Sequence, residues 1–475
     1  MRAAGNDHDR VRIGYCTNVH PGNGLDDVLA NLDEHASVVR QRLQADPATR
    51  RWTEPMDVGL WLPADAARRV RTEGEATWLR EELAGRNLRA FTFNGFPYGD
   101  FHRRTVKHQV YRPGWDDPRR LAYTRDLVEI MARLHDAGAD ASISTVPITW
   151  RPWCTDGVWD RAISHLRLTA LHAAEVERRT GVCVHVDLEP EPGCALDRSI
   201  DVVRLFEDRL LPGLCASDEA AVRRHLRVCH DSCHAAVMFD GQAASMDRLA
   251  AAGIGIGKVQ VSSALDIDFS AMDREQRAAA LEHLGSFAEP RYLHQVSIRR
   301  RGDGPVDFVE DLPAALASTA SGDGAAELGR QQWRVHFHVP VHVERVGPLG
   351  TTQGAIDDCL AAAARHGVRH LEVETYAWSV LPESMQPERL ADGIAAELAW
   401  VLQRPGITGL GVTPDEVPST ATRAGRAEAM ARMRGAALEL DVPGAGAGAG
   451  ASEPAVADDE AAAGDAATPG ERSES

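Results

Sequence analysis

Long apolar runs are missing from this chain. No stretch of 18 or more apolar residues occurs among its 475, so it offers no candidate for a membrane-spanning helix. The opening "MRAAGNDHDRVRIGY" has no apolar middle section of the kind a secretory signal needs, and the expected address is the cytoplasm. A C-x-x-C pair is also missing. The eight cysteines are scattered, so buried thiols rather than disulfides are expected. No G-x-G-x-x-G follows the first strand-like run, which removes the dinucleotide-binding fingerprint of a doubly wound sheet. Positive charge is in deficit. The formal charge is −18, and residues 441–475 carry eight acids and one Arg, leaving −11 on the rest. Such a surface repels phosphate backbones, so nucleic acid is not an expected partner.

What is present is a regular alternation. Short apolar or alternating runs begin at Val11, Met56, Arg89, Ala141, Cys183, Leu226, Gly257, Trp333 and Arg369. Helix-like segments such as "DDPRRLAYTRDLVEIMARLHDAG" and "WDRAISHLRLTALHAAEVERRTG" separate them, and both are expected to end at their Gly. Strands alternating with helices imply parallel strands joined by right-handed crossovers. The expected fold is an α/β (β/α)8 TIM barrel over 11–403. Nine runs are one too many for it. The surplus falls in an insertion, 266–350, between strands 7 and 8, read as a β-hairpin turning at Gly302-Asp303-Gly304. "VHFHVPV" is expected to be the strand that returns the insertion to the barrel mouth. Residues 1–10 are expected to be disordered, 404–440 to hold a loop and a terminal helix, and the acidic Gly/Ala-rich segment 441–475 to be disordered.

Chemistry in such a barrel sits at the C-terminal ends of the strands. Along "CVHVDLEPEP" the alternation turns His185, Asp187 and Glu189 inward, with Glu189 nearest the mouth. Along "RHLEVETY" it turns His370, Glu372 and Glu374 inward, with Glu374 outermost. In "RVCHDSCHAAVMFDG", Asp231 ends a strand and His234 falls one helical turn beyond it. His336 and His338 share a face of "VHFHVPV". Carboxylates with imidazoles are a donor set for a divalent ion (Mn, Zn, Co or Mg), which can polarise a carbonyl while a proton leaves the adjacent carbon. Glu189, Asp231, His234, His336, His338 and Glu374 are therefore the candidate metal ligands, and Glu189, Glu374 and His234 the candidate catalytic groups. A zinc cluster of Cys229, His230, Cys233 and His234 is disfavoured, because structural zinc sites draw two close-spaced pairs from separate loops. Asn18, His20, Asn94, Trp150, Glu191 and Gln260 are candidate substrate-binding residues, in a polar pocket with an aromatic wall.

The residues "DLEP", "DSCH" and "EVET" make the chain resemble the xylose-isomerase-like TIM barrels, which include sugar isomerases, ketose epimerases and endonuclease IV. The resemblance implies that Glu189, Asp231 and Glu374 are metal ligands and that His234 is a ligand or a substrate contact. It also implies a ligand on the seventh strand, where this chain reads "VQVSS". Gln260 fills that place, or His336 or His338 substitutes. Blocks such as "GYCTNVHPG", "LEPEPGC", "YLHQV" and "HFHVPVHVERVGPLGTTQ" resemble the family of metabolite traffic protein EboE from about Gly14 to Gln403. That resemblance implies a bacterial secondary-metabolite pathway and other Ebo proteins as partners, among them a UbiA-like prenyltransferase. The expected activity is isomerisation or epimerisation of a sugar or cyclitol with a divalent ion. A binding or delivery protein on the same scaffold is the alternative, and a nuclease is the third reading.

Overall fold

A computed structural model describes residues 10–300, 304–319 and 327–408. The expectations for 1–9, for the turn residues 301–303 and for 409–475 lie outside the described residues. Eight parallel strands build the barrel. They are β1 (Arg12–Tyr15), β2 (Met56–Leu60), β3 (Leu88–Asn94), β4 (Asp140–Thr145), β5 (Cys183–Leu188), β6 (Leu226–Asp231), β7 (Ile256–Val261) and, after an insertion, β14 (His370–Val373). The sheet order is β1-β14-β7-β6-β5-β4-β3-β2, and a parallel bridge between Cys16 and Gly59 closes the ring. These are the eight runs read as barrel strands. No helix among the described residues is long and apolar enough to cross a membrane.

Helix boundaries follow local chemistry. The helix Asp156–Thr180 starts where the Thr155 side chain accepts the Val158 N–H, and it stops at Gly181, whose φ of 74° suits a residue without Cβ. The helix Pro118–Leu134 departs from expectation. It ends four residues before Gly138, with His135 already extended, because the last turn gives way to a loop closed by Ala139 N–H on Asp136 C=O.

Residues 265–351 form more than a hairpin. Six strands, β8 (Leu265–Asp268), β9 (Val296–Arg300), β10 (Val306–Val309), β11 (Gln331–Val335), β12 (Arg345–Val346) and β13 (Leu349–Thr351), assemble an antiparallel sheet in the order β10-β9-β11-β8-β13-β12. β9 and β10 are the paired strands that flank 301–303. "VHFHVPV" is a strand only as far as Val335. There the Phe337 N–H turns back to the Val335 C=O at 2.8 Å, a γ-turn centred on His336, and Val339 N–H bonds the barrel-end residue Ser263. The sheet thereby hands residues 336–339 to the barrel mouth as irregular chain.

Candidate metal and substrate site

The mouth is built at five strand ends. Glu189 follows β5 with its N–H on Thr145 C=O, and Glu374 follows β14 with its N–H on Val261 C=O. Asp231 ends β6 and caps the next helix, where its Oδ1 accepts the His234 N–H at 2.8 Å and the Ser262 hydroxyl at 2.7 Å. Asn18 and Asn94, after β1 and β3, each donate to Glu374 Oε1, at 2.7 and 3.1 Å. Glu189, Asp231, His234, His336, His338 and Glu374 are all buried. One ligand atom each from Asp231, His234 and His338 lies within 4.8 Å of the other two, and Glu189 Oε1 is 3.9 Å from His234 Nδ1.

The hydrogen bonds fix proton positions. Gln295 Nε2 donates to the Tyr111 hydroxyl at 3.0 Å and to Pro192 C=O at 3.1 Å, so its Oε1 is the acceptor facing His336 Nδ1 at 2.8 Å. His336 therefore carries its proton on Nδ1 and a lone pair on Nε2. That lone pair lies 3.1 Å from His234 Nε2, while His234 Nδ1 faces the acceptor Pro190 C=O at 3.0 Å. A neutral His234 satisfies one of these neighbours and not both. His338 donates Nδ1–H to Glu374 C=O at 2.8 Å, and its Nε2 has no partner. A ring nitrogen tied to a carbonyl while the other is left open is the usual preparation of a histidine ligand. Glu189 Oε2 and Asp231 Oδ2 are likewise buried without partners.

The electrostatics agree with this picture. Burial, then Glu374 and Asp231, push the Glu189 carboxyl well up. Burial, Asp231 and Glu372 push Glu374 up to about 8. Burial would also raise Asp231, but His234 and His338 together with the two hydrogen bonds hold it below the usual carboxylate range. Burial drives His336 well down and His338 to about 4, so both are neutral rings at pH 7. Clustered acids and neutral imidazoles form a donor set that fits a divalent ion.

Not every expected residue reaches the cavity. Asn18, Asn94 and Glu191 line it. His20 does not, because the short helical turn Thr17–Val19 swings it outward. There it stacks on His35 at 4.4 Å and contacts the Tyr15 hydroxyl at 3.0 Å. Trp150 stands behind the wall, stacked on Tyr111 at 5.4 Å. Gln260 is not on the cavity wall. It pairs in register with Asp231 and Glu372 inside the barrel, both amide atoms buried without partners. Cys233 lies with His336 and His338 in a further possible ligand group, whereas His230 is held away by Gln242 at 2.7 Å. Tyr111, Tyr292, Gln295 and Tyr376 were missed at the sequence level. Gln295 and Tyr292 lie within "YLHQV", beside a histidine, and this was their one local signal.

No protein-family model matches this chain, and no curated protein matches it. Solved structures do. A xylose isomerase domain protein from Planctomyces limnophilus aligns at 14% identity over 84% of this chain and 96% of its own, with a TM-score of 0.41. A xylose isomerase-like TIM barrel protein from Mycobacterium smegmatis, in complex with magnesium, aligns at 11% over 84% and 98%, with a TM-score of 0.45. A D-allulose 3-epimerase from Methylomonas sp., in complex with D-allulose, aligns at 12% over 83% and 97%, with a TM-score of 0.39.

Proposed function

We propose that this chain is a divalent-metal-dependent isomerase or epimerase acting on a hydroxy-carbonyl compound of the sugar or cyclitol type. The observation that carries this reading is the His234–His336 pair, whose Nε2 atoms lie 3.1 Å apart with no tautomer of a neutral His234 that suits both His336 and Pro190 C=O. It sits beside three buried unpartnered donors, Glu189 Oε2, Asp231 Oδ2 and His338 Nε2. Glu189, Asp231, Glu374, His338 and His234 or His336 would hold the ion. Bound there, it supplies a Lewis acid that lowers the cost of negative charge on a carbonyl oxygen. The chain's own groups then have defined tasks. Glu189, on the floor with a free Oε2, takes the proton from the carbon beside the carbonyl, and Glu374 on the same floor is the second proton carrier. His234 ends a hydrogen-bonded chain through His336, Gln295 and Tyr111 to Glu191, which holds the His336 ring in one orientation and tautomer. The resemblance to EboE supports placing this reaction in a cytoplasmic secondary-metabolite pathway alongside other Ebo proteins.

Metal content and turnover test the proposal together. Purified protein should carry about one equivalent of a divalent ion by elemental analysis. Glu189→Gln should lose it with circular dichroism unchanged, because the barrel packing lies below the mouth. Glu372→Gln, one pleat deeper, should keep the metal and lose stability instead. Exchange of a ketose C–H with solvent deuterium by the loaded protein distinguishes an enzyme from a delivery protein. A folded protein that binds no divalent ion at micromolar concentration would end the reading.

A further inference from the structure

The cavity above the floor is lined mainly by carbon. Its wall carries five aromatic rings, Phe96, Phe101, Tyr111, Tyr292 and Tyr376, with Phe101, Tyr292 and Tyr376 packed on one another at centroid distances of 5.0–5.5 Å. Val106, Val110 and Leu293 fill the spaces between them. Several polar atoms on this wall are already bonded within the protein. The Tyr111 hydroxyl donates to Glu191 at 2.7 Å, the Tyr292 hydroxyl reaches Phe101 C=O at 3.3 Å, and Lys107 Nζ is paired to Asp311 at 2.5 Å. Asn94 is spent on Glu374 and on the Phe96 N–H. Among the described residues, the Tyr376 hydroxyl and Asn18 Oδ1 are lining groups without such a bond, and Lys107 keeps N–H groups beyond the one on Asp311.

A hexose would bring hydroxyls to positions where this wall offers carbon, and each hydroxyl stripped of water without a partner costs about 1–3 kcal/mol. An apolar substituent there would gain about 25 cal/mol per Å² buried. From these observations we infer that the substrate is amphipathic, a hydroxy-carbonyl head that meets the floor and an apolar group of six or more carbons held against Phe96, Phe101, Tyr292 and Tyr376. The inference rests on the proposed function for its polar head and on the wall alone for its apolar end.

The test uses full-length cobalt-loaded protein and two probes, 2-hydroxyacetophenone and D-fructose, with the D-fructose affinity referred to its small open-chain fraction, which alone carries the same HOCH2–C=O head. Both are titrated by calorimetry and by the visible cobalt spectrum. The aryl ketol should bind at least ~10-fold more tightly, the return expected for burying one ring. Phe101→Ala should weaken it about 5-fold or more, leaving cobalt content and the D-fructose affinity unchanged. Val110→Thr, a smaller change that keeps the packing shape, should move the same preference in the same direction if Phe101→Ala fails to fold. Equal or tighter binding of D-fructose to cobalt-loaded protein overturns the amphipathic substrate and leaves the metal reading standing. If no cobalt binds, the proposed function fails, and the same calorimetric pair on metal-free protein still decides the wall. There, a preference for the aryl ketol supports the inference, and equal affinity or none overturns it.

Discussion

The barrel buries two sets of acids, one layer apart, and treats them differently. In the lower set, Glu372 Oε2 meets Lys258 Nζ at 3.1 Å and the Thr92 hydroxyl at 2.5 Å, and Lys258 also donates to Ser144. Asp187 meets His185 at 2.7 Å and Ser142 at 2.5 Å. Even the glycines make room there. A Cβ on Gly59 would fall 2.1 Å from the Glu372 carboxyl carbon, and one on Gly257 would fall 2.3 Å from the Asp187 oxygens. In the upper set, no Lys or Arg among the described residues makes an ion pair with Glu189, Asp231 or Glu374, and Lys258 acts on them only from a distance. An open oxygen does not separate the layers, since Glu372 Oε1 is buried without a partner as Glu189 Oε2 and Asp231 Oδ2 are. Buried acid alone is therefore no mark of a site. The missing countercharge is the mark.

The comparison can be broken from below. Lys258 is one of two lysines in the chain, and burying Glu372 without it should cost about 3–5 kcal/mol. Urea unfolding of Lys258→Met should show that loss, and Lys258→Met combined with Glu372→Leu should recover most of it. A neutral Lys258→Met would mean that the lower set is as uncompensated as the upper. From above, Gln295 is a positioning residue, setting which His336 nitrogen holds the lone pair. Gln295→Leu should weaken metal binding about 10–100-fold in chelator competition. Gln295→Glu, which keeps an acceptor for His336 Nδ1–H, should lose less. Similar losses for both variants would show that the bond does not set the tautomer.

A third buried acid sharpens the contrast. Glu397 accepts from the Thr375 hydroxyl, Val341 N–H and Trp378 Nε1–H at 2.6–3.0 Å, yet burial pushes it up to about 7. A raised acid favours folding most where it is protonated in both states. Its contribution is full below about pH 4.5 and is lost as pH rises to about 7. The stability advantage of the wild type over Glu397→Gln should shrink across that window by ~1 kcal/mol or more, and flatten above it. A difference independent of pH would place the ionised form in the fold already. The smallest effect is expected at Cys233, packed with Val237 and Ala264. Cys233→Ala should change metal affinity less than about twofold, at a stability cost of ~1 kcal/mol. Loss of one equivalent of zinc would make the thiol a ligand.

Sequence pattern reached far along β5 and β14. Period-two alternation is local and strictly enforced by a pleated strand with one apolar face, so the inward set His185, Asp187, Glu189 and the set His370, Glu372, Glu374 could be read directly. The same rule failed for His20 and for the strand status of "VHFHVPV". Both segments leave their strands through tight turns whose hydrogen bonds are set by distant neighbours. Nothing near Gln295 in the sequence reveals that it orients a histidine 41 positions away.

The chain by itself determined the barrel, its eight strands and the acids aimed at its mouth, because periodicity and strand ends are written in neighbouring residues. The return of His336 and His338 to those acids was likewise expected from the sequence, but tertiary structure alone decided that the insertion is a six-stranded sheet and that a tight turn, not a strand, carries the two rings there. It also decided that Lys258 neutralises the deeper layer and that the cavity wall is aromatic, with several of its polar atoms already bonded. Each of these depends on partners far apart in the chain. Whether a buried group is satisfied or left open is a property of the packed neighbourhood, and the order of residues does not contain it.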